Sequence, residues 1–229
     1  VPAASGKTEL FNGTSWAEDG DLSTARFYLG GSGTSNTSAL AFGGETNPPY
    51  TAATEEWTGP GSNIGSWATG GNLNAARSGL GGAGTQTAGL AFGGETAPGA
   101  EVVNSEEYNG STWTEGNNLG QGRRGSAGIV TAALTFGGYT TTSVAITESW
   151  NGTAWAEVAD LNTARYSVAG AGVTTGALAF GGYATARLAV TEDWNGASWT
   201  EVADLSAVNY SMAGAGTNTA ALAFGGNTG

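Results

Sequence analysis

The stretch Ala177-Leu178-Ala179-Phe180-Gly181-Gly182 decides the fold of this 229-residue chain, because close variants of it recur at a nearly fixed spacing. Its Phe-Gly-Gly core occurs five times, with spacings of 50, 44, 44 and 44 residues between the phenylalanines, which are Phe42, Phe92, Phe136, Phe180 and Phe224. A period of this length is typical of supersecondary units that cannot bury their apolar faces singly and therefore stack. The sequence thus predicts one array of five similar units.

Each unit contains four segments with the pattern of a β-strand. The run that ends at the double glycine is apolar at every position, which is typical of a short strand covered on both faces. Around Glu192 apolar and polar side chains alternate, and the Asn195-Gly196 pair that follows predicts a tight hairpin into the next strand. The Gly- and Ala-rich run 166–172 indicates an innermost strand, where converging sheets leave little room.

The two ends of the chain fit the same period. The chain begins in the third strand of a unit and finishes after the second, so that joining the ends continues the repeat in register. This register predicts a ring whose last sheet takes two strands from each terminus, which hides edges that would otherwise be unpaired. Because the chain opens at Val1 without a methionine, we expect a processed product or an excised piece.

The recurring pattern resembles the kelch repeat of β-propellers. The pattern is a double glycine, a glutamate two residues before an aromatic residue, then tryptophan, leucine and arginine, and it covers essentially the whole chain in five copies. The resemblance implies an all-β, five-bladed propeller with four antiparallel strands per blade and a last blade closed from two N-terminal and two C-terminal strands. The chain 1–229 is then a single domain, with blades at about 27–70, 78–117, 125–158, 166–202, and 210–229 together with 1–18. The Ala-Leu-Ala-Phe-Gly-Gly and Ala-Gly-Ala-Gly stretches also resemble kelch-like repeats of marine bacteriophage virion and tail-associated proteins.

Composition excludes several classes of function. The chain has no histidine and no cysteine, which removes His-based triads, imidazole and thiolate metal ligands, and disulfides. A net charge of −12, from 19 acidic and 7 basic residues, offers no positive surface for phosphate backbones or anionic membranes. We therefore expect neither nucleic acid nor a membrane as a partner, and no cofactor or metal.

Glutamates and arginines recur at fixed places in the repeat. Each arginine lies four residues after a leucine, and each glutamate shares a strand face with an aromatic residue; they are Arg26, Arg77, Arg123 and Arg165, and Glu9, Glu55, Glu106, Glu148 and Glu192. A ring of carboxylates around a cation is one interpretation. Structural Arg–Glu ion pairs within or between blades are the favoured one, and Asn209 in place of a fifth arginine predicts a weaker junction.

The variable positions of the repeat predict where a ligand binds. The residues after each double glycine and after each arginine position change from unit to unit; they are Glu45, Glu95, Tyr139, Tyr183 and Asn227, and Phe27, Ser78, Arg124, Tyr166 and Tyr210. Tyrosine offers an apolar plane and a hydroxyl, which suit sugar and protein surfaces. The predicted ligand-binding residues are Tyr139, Tyr183, Tyr166, Tyr210, Tyr50 and Arg187. The alternative is that these aromatic residues shield the ends of the blades.

We expect a non-catalytic, lectin-like binding or structural module that presents its loops to a glycan or a protein, on a virion or in another surface-exposed setting. The acidic residues mostly repeat around the array, which favours a scaffold role over catalysis. Two alternatives stay open. One is a polysaccharide-acting enzyme that uses only carboxylates, which would need two acidic groups flanking one cleft. The other is a protein-interaction adaptor.

Overall fold

The computed structural model describes residues 4–46, 49–59, 65–125, 127–129 and 133–229. These residues form strands and turns and no helix, so none of them belongs to a helix long and apolar enough to cross a membrane. Four antiparallel four-stranded sheets, called blades 1 to 4 below, lie in a propeller-like arrangement with a two-stranded hairpin at each end. The prediction of an all-β propeller with antiparallel blades is therefore confirmed.

The strands follow one another along the chain in a regular order. The N-terminal hairpin consists of β1 (Thr8–Phe11) and β2 (Trp16–Asp19), and blade 1 of β3 (Gly30–Ser35), β4 (Ser38–Phe42), β5 (Thr54–Thr58) and β6 (Ser66–Thr69). Blade 2 begins with β7 (Gly81–Gly84) and β8 (Gly89–Phe92), carries a small hairpin of β9 (Glu95–Thr96) and β10 (Ala100–Glu101), and continues with β11 (Ser105–Tyr108) and β12 (Trp113–Glu115). Blade 3 contains β13 (Ala127–Ile129), β14 (Leu134–Phe136), β15 (Thr147–Trp150) and β16 (Trp155–Glu157). Blade 4 contains β17 (Ala169–Val173), β18 (Gly176–Phe180), β19 (Thr191–Trp194) and β20 (Trp199–Glu201), and the C-terminal hairpin contains β21 (Tyr210–Thr217) and β22 (Ala220–Asn227).

Aromatic pairs between neighbouring blades form the core. The phenylalanine of one blade meets, edge-on, the tryptophan that begins the fourth strand of the next, with centroid distances of 4.9 Å for Phe42–Trp113, 4.9 Å for Phe92–Trp155 and 5.0 Å for Phe136–Trp199. Such edge-to-face contacts stabilise beyond simple burial of area. This geometry explains why these residues recur at fixed positions in the repeat.

The indole N–H of each of these tryptophans also needs a partner, because it is removed from water. It donates to a hydroxyl in the preceding sheet: Trp113 Nε1 to Thr54 Oγ1 at 2.9 Å, and Trp199 Nε1 to Thr147 Oγ1 at 3.1 Å. Trp67 Nε1 donates in the same way to Thr8 Oγ1 at 2.9 Å. The N-terminal hairpin therefore takes the place of the outer strands of a sheet that precedes blade 1.

The described residues form four complete blades, and the predicted fifth sheet shared by both termini is not formed among them. In the described part of the chain, β1 pairs only with β2 and β22 pairs only with β21. Each hairpin packs against its own neighbouring blade, β1–β2 on blade 1 and β21 on β17 of blade 4. Apolar side chains on both hairpins consequently face solvent, with Phe224 44% and Trp16 62% exposed.

Candidate ligand-binding face

Four repeated arginines contact four repeated glutamates inside the blades. In each case the arginine lies on the segment entering a blade and the glutamate on the third strand of that blade; the pairs are Arg26–Glu55 (3.0 Å), Arg77–Glu106 (2.5 Å), Arg123–Glu148 (2.6 Å) and Arg165–Glu192 (2.6 Å). All eight side chains are buried. Burial lowers the pKa of each arginine, and the adjacent carboxylate opposes that effect.

Each of these carboxylates also accepts a backbone N–H from the turn that precedes the arginine. The donors are Ser23 for Glu55, Asn74 for Glu106, Gly120 for Glu148 and Asn162 for Glu192. The ion pairs therefore tie the connection between two sheets to the next sheet. Since every one of the four carboxylates is engaged in this way, they form no open ring for a cation. In the described ranges no cluster of three or more acidic side chains is arranged to hold a metal ion.

Glu9 does not belong to this set, which corrects its assignment to a structural ion pair. It is exposed in β1, and among the described residues no basic side chain contacts it. The physical reason is the exchange of the fifth arginine for Asn209, combined with the separation of the two terminal hairpins.

The two sets of variable positions lie side by side, which the sequence did not indicate. One set follows the arginine position and the other follows the double glycine, and both lie at the same end of the inner strands. Backbone bridges pair a residue of one set with a residue of the other; the pairs are Phe27 with Glu45, Ser78 with Glu95, Arg124 with Tyr139, and Tyr166 with Tyr183, while Tyr210 pairs with Asn227 in the C-terminal hairpin. We call these five pairs the variable face. Residues chosen independently along the sequence thus form one surface.

Four tyrosines of the variable face form a continuous aromatic array. The centroid distances are 5.2 Å for Tyr139–Tyr166, 5.5 Å for Tyr166–Tyr183 and 5.6 Å for Tyr183–Tyr210, with tilted or edge-on rings. Arg124 lies over Tyr139 at 5.2 Å and Arg187 over Tyr210 at 5.6 Å, so that a cation flanks each end. Burial, followed by the neighbouring phenols, raises the pKa of Tyr166. All of these side chains are half-buried and therefore reachable from solvent.

Tyr50 reaches the array only indirectly. Its hydroxyl donates to Glu95 Oε1 at 2.7 Å, and the other carboxylate oxygen of Glu95 pairs with Arg124. Glu101 Oε1 lies 3.9 Å from Arg124 Nε on the same side. Sequence reasoning included Glu95 and Arg124 only as variable positions and did not select them as ligand-binding residues. The available signal was that both positions change from repeat to repeat, but tyrosines at such positions were preferred as ligand-binding residues.

A cavity of about 380 Å³ lies beside the array and is lined by residues from five repeats, among them Tyr28, Glu95, Tyr166 and Tyr210. Backbone hydrogen bonds form a belt along it: Gly79 N to Tyr28 O (2.9 Å), Gly125 N to Gly79 O (2.9 Å), Ser167 N to Gly125 O (2.8 Å) and Ser211 N to Ser167 O (3.0 Å).

The belt requires a left-handed backbone, with φ of 63° at Gly79 and 64° at Gly125. Tyr28, Ser167 and Ser211 adopt it at φ of 54°, 50° and 55° despite their side chains. Non-glycine residues in this conformation cost free energy and concentrate at functional sites.

No protein-family model matches the chain, and no curated protein matches it in sequence. The assignment of a function therefore depends on the geometry of the variable face.

Proposed function

We propose that the chain is a non-catalytic glycan-binding module that uses the aromatic array and the adjoining cavity as its binding site. The observation that carries the proposal is the continuity of the four tyrosines across three repeats. A sugar presents apolar C–H faces and a rim of hydroxyls, and a half-buried tyrosine offers a matching plane and a hydroxyl partner. The cavity of about 380 Å³ lies within the range of roughly 300–1,000 Å³ that is usual for small-molecule sites.

The carboxylates near the cavity favour binding over turnover. A glycosidase needs two acidic groups, one on each side of the scissile bond. In the described residues, the cavity lining contains one carboxylate, Glu95, and both of its oxygens are engaged, one by the Tyr50 hydroxyl and one by Arg124. We therefore propose a module that holds a sugar without cleaving it.

We also propose that the terminal hairpins join into a fifth blade of a kelch-type propeller. In the complete blades the phenylalanine before the double glycine pairs with a threonine or serine, as in Phe42↔Thr54 and Phe180↔Thr191. The same register pairs Phe224 with Thr8. A cavity of about 240 Å³, lined by Thr8, Trp67 and neighbouring apolar and polar side chains, lies beside Thr8, where Phe224 would insert in this register.

The inner face of blade 1 supports the same closure. A β-carbon placed on Gly82 would lie 2.4 Å from Gly31 O, and one placed on Gly214 would lie 2.3 Å from Gly170 O, because neighbouring blades touch there. A β-carbon placed on Gly31, the matching position of blade 1, would meet only the Leu40 carbonyl at 3.5 Å among the described residues. Among the described residues, the inner face of blade 1 therefore has room to receive the C-terminal hairpin.

We propose a virion or other surface-exposed setting for this module, in line with the resemblance of its repeats to those of bacteriophage virion proteins. The acidic surface supports this, since a net charge of −12 keeps copies apart and disfavours nucleic acid and anionic lipid. Electron microscopy of purified particles with an antibody against this chain tests the setting.

A glycan array probed with the wild-type chain, Tyr183→Phe and Tyr183→Ala tests the binding function. We expect Tyr183→Ala to weaken glycan binding about tenfold, which is about 1.4 kcal/mol, because it removes one of the two inner rings of the array. Tyr183→Phe keeps the ring and should retain most of the affinity. Equal melting temperatures would show that the fold is intact. Binding to no glycan, or release of reducing ends from a bound polysaccharide, would contradict the proposal.

A further inference from the structure

Among the residues that the structure describes, one basic side chain has no acidic partner. All 7 basic and all 19 acidic residues lie in the described ranges. Six of the basic residues contact a carboxylate: the four buried arginines, Arg124 with Glu95, and Lys7 with Glu18. Within these ranges Arg187 is the exception, with no carboxylate oxygen within 4.0 Å. In a chain this acidic, an arginine without a carboxylate needs an explanation.

The loop position of Arg187 is one that reaches the next repeat. In blade 1 the matching residue, Tyr50, donates to Glu95 of blade 2, and in blade 2 the matching Glu101 approaches Arg124 of blade 3. Arg187 is bridged to Tyr183 and lies over the ring of Tyr210 at 5.6 Å. Its guanidinium is therefore held against the array by an aromatic face, which leaves its N–H donors uncommitted to any carboxylate of the described chain.

The two ends of the aromatic array differ in charge as a result. At one end Arg124 is neutralised by Glu95 and lies near Glu101. At the other end Arg187 lies beside Tyr183 and Tyr210 and has no carboxylate partner among the described residues. A planar guanidinium fork matches a carboxylate in two parallel hydrogen bonds, which are stronger than those between neutral groups. A ligand that lies along the tyrosines therefore meets a neutralised arginine at one end and an anion-binding group at the other.

We infer that Arg187 is a carboxylate-binding residue of the site and that the ligand is an acidic glycan, one whose sugars bear carboxylate groups. This inference rests on the glycan-binding function proposed above and names its substrate class. The net charge of −12 repels a polyanion at long range, so the attraction comes from the short contact at Arg187. Four tyrosines in a row favour an oligosaccharide over a single sugar.

Titration calorimetry with oligogalacturonate and with its methyl ester tests the inference, because the ester has the same sugars without the charge. We expect the wild-type chain to bind the acid at least tenfold more tightly than the ester. Arg187→Gln should abolish that preference, because it weakens binding of the acid more than binding of the ester, and Arg187→Lys should restore part of it. The melting temperatures of the three proteins should agree, since Arg187 forms no ion pair within the described chain.

Three results would overturn the inference. Equal affinity of the wild-type chain for acid and ester would leave the glycan-binding function standing and remove the carboxylate subsite. An unchanged preference in Arg187→Gln would place the charge recognition elsewhere. Tighter binding of poly-glutamate than of oligogalacturonate would show that the anionic partner is a peptide. Failure of the wild-type chain to bind any glycan on the array would instead defeat the proposed function itself.

Discussion

Blade 4 and the two terminal hairpins are made from the same repeat, yet only blade 4 buries it. Phe180 is 2% exposed and Phe224 is 44% exposed, although both precede a double glycine on a second strand. Glu192 is paired with Arg165 and buried, whereas Glu9 is exposed and has no basic partner in the described chain. The difference shows that the burial of a residue depends on the strands that complete its sheet as much as on its position in the repeat.

The glutamate pair gives the largest contrast. Glu192→Ala leaves the buried guanidinium of Arg165 without its carboxylate, which should lower the free energy of unfolding by about 3–5 kcal/mol. Glu9→Ala removes a side chain that has no arginine partner, since Asn209 stands at that repeat position, and should cost about 1 kcal/mol or less. Denaturant unfolding of both variants checks this, and equal losses would show that Glu9 is buried and paired in solution.

The phenylalanine pair asks whether the terminal hairpins are apart or joined. Phe180→Ala removes a fully packed ring and should cost about 3–5 kcal/mol. If the hairpins join as proposed, Phe224→Ala should approach that cost, because the ring then inserts beside Thr8 and Trp67. Chemical denaturation gives both values. A cost below about 1 kcal/mol for Phe224→Ala would indicate that this ring stays in solvent.

Tyr108 of blade 2 occupies the repeat position that Phe11 occupies in the N-terminal hairpin, and the two side chains differ only in the phenol hydroxyl. The Tyr108 hydroxyl donates to Glu56 of the neighbouring blade. Burial, and then this hydrogen bond, raises the pKa of Tyr108 from 10.0 to about 12. A raised pKa means that the stabilisation is complete below pH 10 and is lost as the pH rises towards 12.

Stability measured between pH 9 and about pH 12 for the wild-type chain and Tyr108→Phe checks this dependence. The wild-type chain should lose stability over this range more steeply than the variant, which has no phenol to ionise at this position. Parallel pH profiles would contradict the assignment. The other tyrosines contribute equally to both proteins and cancel in the difference.

Asn209→Arg gives the smallest expected effect and sharpens the same comparison. It restores the arginine that the other repeats carry, opposite Glu9 in the proposed fifth blade. We expect a gain of about 1 kcal/mol or less, because burying two charges offsets much of their attraction. A double-mutant cycle with Glu9→Ala isolates the pair. A coupling energy of zero would show that residues 9 and 209 do not meet.

Much of the scaffold could be predicted from the sequence, because periodic positions report where a residue lies in a sheet. The double glycine, the tryptophans and the Asn-Gly hairpins predicted strands and turns that the structure contains. The separation of the terminal hairpins could not be predicted, since the repeat pattern is the same whether or not two ends pair. The repeat period gives the register in which the two ends would pair, and it does not show whether they pair.

The candidate site was only partly predictable for a similar reason. Variability selected Tyr139, Tyr166, Tyr183 and Tyr210, but their arrangement as one array depends on how the blade ends approach each other. The pairing of Glu95 with Arg124 joins two blades and has no signature within one repeat. The left-handed backbone at Tyr28 and Ser167 could not be predicted either, because sequence patterns predict such conformations at glycine.

A designed disulfide between the terminal hairpins tests the proposed fifth blade most directly, because the chain has no cysteine of its own. The register of the complete blades places residue 10 opposite residue 222, within the Cα separation of about 4.4–6.8 Å that a disulfide needs. The variant with Leu10→Cys and Leu222→Cys should form this bond within a monomer on mild oxidation. The out-of-register variant with Leu10→Cys and Ala220→Cys should not. Free thiols in the first variant, or a bond formed only between two chains, would contradict the closure of the ring.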